Sequence, residues 1–360
     1  MKNTFGQSVA VTLFGESHGE YIGAVIDGLA PGIAVDEDFI RHQLSLRRPE
    51  GKISTARVEA DEFRIVSGIF EGKTTGTPLC ILIPNTNTRS GDYTRDIPRP
   101  GHADYTAECK YHGYQDHRGG GHFSGRITAA LVAAGAIAIS ALRQNGILIG
   151  THISRISDIC DRTFDSYESD IETLADLSFP VLDPIKADLM RACIEDATAE
   201  GDSVGGVLET AIVGLPAGIG EPWFDTVEGL LSHALFSIPA IKGVEFGAGF
   251  GMADLRGSQA NDAFCAQNGR IITTTNHNGG ILGGITTGMP VLFCVSVKPT
   301  PSIAKPQQTV NLGTGENTQL EVKGRHDPCI VPRAVPVVEA AAAIAIYDLI
   351  LGNTQTDRRK

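Results

Sequence analysis

Short runs of apolar and β-branched residues recur along the chain, most of them close to glycine or proline, and this pattern predicts β-strands. The predicted strands are residues 8–14, 23–26, 63–66, 78–83, 147–153, 207–213 and 291–297. Helical patterns cover residues 36–47, with Asp36 as a candidate N-cap, and residues 127–142, 185–197, 226–236 and 337–351. The strands come in clusters and do not alternate strictly with helices, which favours α+β layers over a doubly wound sheet.

The chain contains three internal matches in the same order. Residues 28–33 resemble residues 214–219, and residues 72–78 resemble residues 284–290. Arg126 precedes an Ile-Ala-Ile run by the same spacing as Arg333 does. The matches predict a single domain over 1–360 with pseudo-repeats at about 1–145 and 205–352 and an inserted connection at about 150–200. Because corresponding loops of two packed halves converge, we expect one active site between them.

Composition narrows the class of protein. The chain has 360 residues, 42% of them hydrophobic, and a net charge of -12, which argues against a nucleic-acid partner. Its seven cysteines form no Cys-x-x-Cys pair, so we expect neither disulfides nor a metal site, and a cytoplasmic location. The apolar stretch 127–142 is shorter than the roughly 18 residues of a spanning helix, which predicts a buried helix and no membrane partner.

Ser17 and His18 lie in a Gly-flanked loop, residues 15–19, that formally matches the nucleophile elbow of α/β-hydrolases. An elbow requires a helix directly after the serine, whereas residues 21–26 have a strand pattern. The loop therefore indicates a turn that presents Ser17 and His18 to a ligand. A serine hydrolase that uses Ser17 remains an alternative.

Arginine and histidine are concentrated in glycine-containing loops. Arg47, Arg48 and Lys52 form either a solvated helix end or an anion clamp, since arginine binds carboxylate and phosphate bidentately. Residues 118–126 place three consecutive glycines between arginines and histidines, which favours a phosphate or cofactor loop. Residues 276–284, 298–302 and 324–329 form similar loops in the second half. These residues indicate an enzyme with a small polyanionic substrate and histidine acid–base chemistry.

The motifs also resemble those of one enzyme family along nearly the whole chain. Residues 6–7, 14–19, 47–49, 99–104, 256–259, 276–284, 298–300 and 324–329 resemble chorismate synthases. The resemblance implies a layered α/β sandwich with antiparallel sheets, an internal pseudo-two-fold duplication and a homotetramer. It also implies a carbon–oxygen lyase of the shikimate pathway. That enzyme converts 5-enolpyruvylshikimate 3-phosphate to chorismate and phosphate by 1,4-anti elimination, and it requires reduced FMN.

The resemblance assigns roles to residues of this chain. It implies that His18 acts near the leaving phosphate, that His102 protonates the reduced flavin and that Asp327 works with flavin N5. The residues implied for substrate binding are Ser17, Arg47, Arg48, Lys52, Arg126, Arg325 and Arg333. The residues implied for FMN binding are His122, Phe123, Ser124, Pro239, Ala240, Gly283, Lys298, Pro299, Thr300, Pro301, Ser302 and Arg325.

The chain departs from the family pattern at a few positions. His122 and Ile127 stand where many members have Arg and Glu, and Lys52 stands at or near a usual Arg. A flavin-binding protein without catalysis is an alternative, against which the two histidines and Asp327 argue. Some members also reduce their own flavin with NADPH. This chain shows no nucleotide-binding insertion, so we expect NADPH to act only indirectly, through an external flavin reductase.

Overall fold

The fold was examined in a computed structural model that describes residues 3–49, 51, 53–54, 60–86, 95–322 and 327–356, the last three as backbone only. The strands are β1 Thr4–Phe5, β2 Ala10–Gly15, β3 Tyr21–Asp27, β4 Arg64–Ser67, β5 Ile69–Phe70, β6 Lys73–Thr74, β7 Leu79–Pro84, β8 Leu148–Ile156, β9 Ile159–Cys160, β10 Gly206–Val213, β11 Ile241–Phe246, β12 Phe264–Gln267, β13 Arg270–Thr273, β14 Ile281–Leu282, β15 Ile285–Thr286, β16 Val291–Val297, β17 Gln307–Val310 and β18 Asn317–Leu320. All seven predicted strands are present within two residues of either bound, apart from the end of β8, which extends three residues further.

The helices include every one that the sequence predicts, together with further short ones. They are α1 Glu37–Leu46, α2 Asp104–Tyr111, α3 Thr128–Gln144, α4 Tyr167–Leu174, α5 Pro184–Ala199, α6 Val227–Phe236, α7 Gly257–Ala260 and α8 Val331–Thr356. Asp36 caps α1 as predicted, because its side chain accepts a hydrogen bond from Phe39 N. A 3₁₀ segment that is kinked at Gly119–Gly121 covers Arg118–Phe123, and a single 3₁₀ turn covers Gly125–Ile127, on the other side of Ser124.

Two antiparallel five-stranded sheets enclose the helices α3 and α8. The first has the order β1-β2-β3-β7-β4 and the second the order β11-β16-β10-β8-β9. α3 packs against β3 and β7 of the first sheet, α8 packs against β8 and β10 of the second, and the two helices contact each other. A Cβ atom at Gly135 would lie 2.3 Å from Ala340 Cβ, so α3 approaches α8 closely only because that position is glycine. The result is an α+β sandwich, as predicted.

α3 and α8 are apolar all round because they lie between the sheets. By length and hydropathy alone, Gly125–Gln144 and Val331–Asn353 could each cross a membrane. The sequence argument that the first stretch is too short was therefore wrong. Within the fold, however, 89% and 78% of the two apolar windows are buried. This burial confirms the expectation of a buried helix.

The second internal match falls in like elements of the two halves. In each copy a hairpin strand, β6 or β15, precedes a turn and then an inner strand of a five-stranded sheet, β7 or β16. Thr74 Oγ1 accepts a hydrogen bond from Ile33 N at 2.9 Å, and Thr286 Oγ1 accepts one from Ile219 N at 2.9 Å. The pseudo-two-fold axis that would relate the halves stays a prediction.

The first residues of the chain are tied to α8. Asp348 is buried, and its carboxylate accepts hydrogen bonds from the backbone N–H groups of Gln7, Ser8 and Val9. Buried backbone donors need partners, and a carboxylate with two oxygens satisfies several at once. This contact fixes the turn before β2 against the opposite end of the sequence.

Candidate functional site

A cleft of about 1320 Å³ runs between loops of both halves. The predicted site residues that line it are Arg47, Arg48, His102, His122, Phe123, Ser124, Arg126, Pro239, Ala240, Lys298, Thr300, Pro301, Asp327 and Arg333. Among the described residues, those absent from the lining are Ser17, His18, Gly283, Pro299 and Ser302. Lys52 and Arg325 lie outside the described residues. The volume exceeds that of a typical pocket for one small molecule and accommodates two.

The loop that carries His102 is locked by an ion pair. The Asp104 carboxylate accepts hydrogen bonds from Arg99 N at 2.9 Å, Nε at 2.8 Å and Nη2 at 2.8 Å. Burial raises the pKa of Asp104, but the bonds from Arg99 outweigh it, and the pKa lies below its usual value. Asp104 therefore stays ionised and holds the loop at the start of α2.

The same loop packs on a second-half loop. Lys298 Nζ donates a hydrogen bond to Gly101 O at 2.6 Å, and His102 Nε2 lies 2.6 Å from Ser302 Oγ. Ser302 is buried, which explains why it does not line the cleft itself. Burial lowers the pKa of Lys298, and the like charge of Lys242 lowers it further. The contact orients the imidazole that the sequence singled out.

Ser17 and His18 lie beneath the glycine run, not in the cleft wall. Ser17 is fully buried, and its hydroxyl donates to Arg118 O at 3.2 Å and lies 3.2 Å from His18 Nδ1. A Cβ atom at Gly119 would lie 2.0 Å from His18 Cε1, so only glycine fits above the ring. Since β3 follows this loop, the structure lacks the strand-to-helix turn of a nucleophile elbow.

His122 joins the glycine run to the end of β2. Its Nδ1 donates a hydrogen bond to Gly15 O at 2.7 Å, which leaves Nε2 as the other polar atom of the ring. Phe123 is partly exposed and makes an edge contact with Tyr111. The Ser124 hydroxyl accepts from Arg126 N at 3.2 Å and so caps the following turn.

Arg47 and Arg126 are both buried and meet at one carboxylate. Arg47 Nη1 lies 3.4 Å from Asp61 Oδ2, and Arg126 Nη1 bonds to Asp61 Oδ1. The remaining guanidinium contacts anchor each arginine to the protein. They are Arg47 Nε to Thr128 Oγ1 at 2.9 Å, Arg47 Nη2 to Gly125 O at 2.9 Å, Arg126 Nε to Asn85 Oδ1 at 2.9 Å and Arg126 Nη2 to Pro84 O at 3.1 Å.

Arg333 and Asp327 form a second ion pair at the cleft. Arg333 Nη1 bonds to Asp327 Oδ2, while Arg333 Nε donates to Arg47 O at 2.9 Å. Arg48 Nη2 bonds to Ala60 O, and Arg48 Nε is buried with no hydrogen-bond partner in the part of the chain that the structure describes. The cleft thus gathers cations, but most of them already face carboxylates.

Asp61, Arg99 and Asp104 are the site residues that sequence reasoning missed. Arg99 and Asp104 lie at the two ends of the motif of residues 99–104 that resembles the family, so their spacing of five residues could have indicated an ion pair. Asp61 has no such signal, because its partners are distant in the sequence. Gly283 lies in the exposed β14–β15 hairpin and does not join the cleft lining.

Comparison with known proteins gives a consistent result. The chorismate synthase family model matches residues 9–351. A chorismate synthase of Dehalococcoides mccartyi is 50% identical over 357 residues, which cover 98% of this chain and 97% of the relative. One of Thermococcus kodakarensis is 45% identical over 348 residues, covering 96% and 97%. A crystal structure of chorismate synthase superposes with a TM-score of 0.76 at 28% identity, covering 97% of this chain and 93% of the other.

Proposed function

Because this chain belongs to the chorismate synthase family, and is a lyase of the shikimate pathway, we propose that it converts 5-enolpyruvylshikimate 3-phosphate to chorismate and phosphate. The proposed reaction is a 1,4-anti elimination that requires reduced FMN. It breaks one C–O bond to phosphate and one C–H bond and forms one C=C bond, so it involves no net oxidation. The observation that carries the proposal is the convergence of His102, Asp327 and the arginines on one cleft between the two halves.

The arginines would hold the anionic groups of the substrate. Arg333 reaches the cleft from α8, and Arg47 and Arg126 reach it from the first half. Guanidinium groups form bidentate bonds with carboxylate and phosphate oxygens, and their position in a partly buried wall strengthens the attraction. Desolvated cations of this kind also stabilise the charge that develops on the leaving phosphate.

The two histidines would move protons at different places. His18 lies directly under Gly119, and Gly119 lines the cleft, so we propose that His18 delivers a proton to the departing phosphate. His102 lines the cleft at the contact with the second-half loop, where the family role is to protonate the cofactor. Asp327 would accept a proton in the cleft, and its ion pair with Arg333 positions the carboxylate.

The second-half loop fits a flavin phosphate and ring. Thr300 Oγ1 is buried and has no hydrogen-bond partner among the described residues, so a polar ligand atom would complete it. Lys298 supplies a cation, and Pro239 and Ala240 supply an apolar wall. Bound there, reduced FMN would supply reversible electron donation to the substrate, with no net oxidation or reduction over the reaction.

We also propose a cytoplasmic homotetramer that receives reduced flavin from an external reductase. Trp223 and Phe224 are 85% and 92% exposed, and large exposed aromatic groups support an assembly surface. Sedimentation of the purified chain tests the assembly. A monomer at micromolar concentration would contradict it.

The experiment that tests the reaction is phosphate release from the enolpyruvyl substrate in the absence of oxygen. We expect stoichiometric phosphate and chorismate with reduced FMN and neither product with oxidised FMN. The Asp327→Asn variant should lose most of this turnover. Phosphate release that needs no flavin and is blocked by a fluorophosphonate would instead support the hydrolase alternative based on Ser17.

A further inference from the structure

The ion-pair cluster of Arg47, Arg126 and Asp61, here called the two-arginine subsite, has the form of an anion site. The side chains of Arg47 and Arg126 are 6% and 5% exposed, and both direct Nη1 toward the same carboxylate. All three residues line the cleft. Two guanidinium groups that converge from separate elements on a pair of oxygens match the way proteins bind phosphate or carboxylate.

Asp61 is not required to hold the arginines in place. Each guanidinium is fixed by two other acceptors, namely Thr128 and Gly125 for Arg47, and Asn85 and Pro84 for Arg126. What Asp61 adds is charge, because those acceptors are neutral. Its own backbone has φ of 51°, a conformation that Asp and Asn adopt more easily than other side chains.

We propose that Asp61 is an internal anion that occupies the two-arginine subsite until an oxyanion of the substrate displaces it. The carboxylate of Asp61 contributes one negative charge, which lowers the positive charge that the subsite presents to a ligand. A ligand oxyanion, whether carboxylate or phosphate, must therefore replace an existing ion pair before it gains its own. Charges separated by a few ångströms in a poorly hydrated wall interact strongly, so this competition lowers anion affinity substantially.

The consequence of this competition is selectivity for ligands with several anionic groups. Inorganic phosphate gains binding energy only from the two-arginine subsite, and it has to displace Asp61 to bind there. A substrate with a second anionic group also binds elsewhere in the cleft, for example at Arg333, and that binding offsets the cost of displacement. The identity of the substrate rests on the proposed function, whereas the competition between Asp61 and an oxyanion does not.

The test is calorimetric titration of the purified chain with inorganic phosphate at constant ionic strength. The variant is Asp61→Asn, which keeps the shape of the side chain and tolerates the positive φ but removes the charge. The matched control is Glu321→Gln, because Glu321 also lines the cleft and its loss changes the net charge equally. We expect Asp61→Asn to bind phosphate about tenfold more tightly or better, and Glu321→Gln to remain near the unmodified chain.

Further measurements locate the effect. Adding Arg126→Lys to Asp61→Asn should abolish the gain, because lysine lacks the fork that faces the oxyanion. Equal or weaker phosphate binding in Asp61→Asn, or an equal gain in Glu321→Gln, would overturn the proposal. Should Asp61→Asn not fold, a crystal structure of the unmodified chain with phosphate decides. Phosphate bound between the two Nη1 atoms, with Asp61 displaced, supports the proposal. If Asp61 stays in its ion pairs, whether phosphate is bound elsewhere or not at all, the proposal is refuted.

Neither measurement depends on turnover. If the chain bound phosphate as expected but produced no chorismate, the proposed reaction would fail while the role of Asp61 would stand. If the chain produced chorismate but the Asp61→Asn variant gained no phosphate affinity, the proposed reaction would stand and the proposed role of Asp61 would fail.

Discussion

The imidazole of His102 and the hydroxyl of Ser302 lie 2.6 Å apart although 200 positions separate them in the sequence. His102 comes from a loop of the first half, and Ser302 follows the inner strand β16 of the second half. The hydrogen bond means that the orientation of a candidate proton donor depends on the docking of both halves. A residue of this kind is identifiable from the sequence, but its partner is not.

We expect His102→Ala and His18→Ala to lower kcat by different routes. Positioned acid–base groups contribute about 10²–10⁴-fold, so each variant should lose activity in that range. His18→Ala should mainly slow phosphate departure, whereas His102→Ala should also alter the absorbance spectrum of bound reduced FMN in the presence of substrate. Near-normal turnover in both variants would remove the acid–base assignment.

A matched glycine pair tests the position of His18. Gly119 and Gly120 both have positive φ, at 62° and 89°. A Cβ atom at Gly119 would meet the His18 ring at 2.0 Å, whereas at Gly120 the nearest atom, Arg99 Nη2, is 3.7 Å away. Gly120→Ala should cost only the backbone strain of about 1 kcal/mol in stability. Gly119→Ala should in addition displace His18 and lose far more activity, as steady-state kinetics would show. Equal activities would contradict this placement.

Glu339 on α8 should make the protein less stable as pH rises toward neutrality. Burial raises the pKa of this carboxyl to about 7, and the bond from Thr151 N only partly opposes the shift. The unfolded chain loses the proton near its ordinary value of 4.5, so folding stability falls between pH 4.5 and 7 and then levels off. The total change is about 3 kcal/mol. Urea unfolding should show this slope in the unmodified chain and not in Glu339→Gln. A slope that persists in the variant would assign it to other groups.

His152 should produce a loss of stability at higher pH. Its Nδ1 lies 2.9 Å from Asp161 and its Nε2 lies 2.7 Å from Glu209, so both ring nitrogens donate to carboxylates. Burial lowers the pKa of His152, but these two partners outweigh it and the pKa rises above 6.5. The stabilising contribution is complete below pH 6.5 and is lost as pH rises through the folded-state pKa.

The measurement for His152 is the unfolding free energy of the unmodified chain minus that of His152→Gln across pH 6 to 9. The difference should shrink as pH increases. The exposed His112, changed to Asn because its φ is positive, serves as the control and should show no such trend. A constant difference for His152→Gln would contradict the prediction that the ring loses its proton in this pH range.

The sequence predicted the elements that a repeating pattern defines and missed those that single contacts define. The strand β7 alternates buried and half-buried residues, and its apolar pattern was therefore readable. α2 buries only Ala107 and is held by the ion pair between Asp104 and Arg99, so it has no apolar periodicity from which a helix could be predicted. α8 begins at Val331 instead of residue 337, although Pro336 lies inside the helix and removes one backbone hydrogen bond there. The loops that form the cleft could be predicted from their glycine, arginine and histidine motifs. The part that Asp61 plays in the cleft could not, because pairing with residues distant in the sequence leaves no local pattern.

The bond between Asp348 and the backbone of residues 7–9 also bears on how the chain is made. Partners about 340 positions apart mean that the turn before β2 lacks its acceptor until α8 has emerged from the ribosome. α3 likewise lacks the surface of α8 against which Gly135 packs. During synthesis the first sheet and α3 therefore expose the apolar surface that α8 later covers, and exposed apolar surface favours chaperone binding. The cleft, whose lining includes Asp327 and Arg333, is therefore completed late in translation, together with the core.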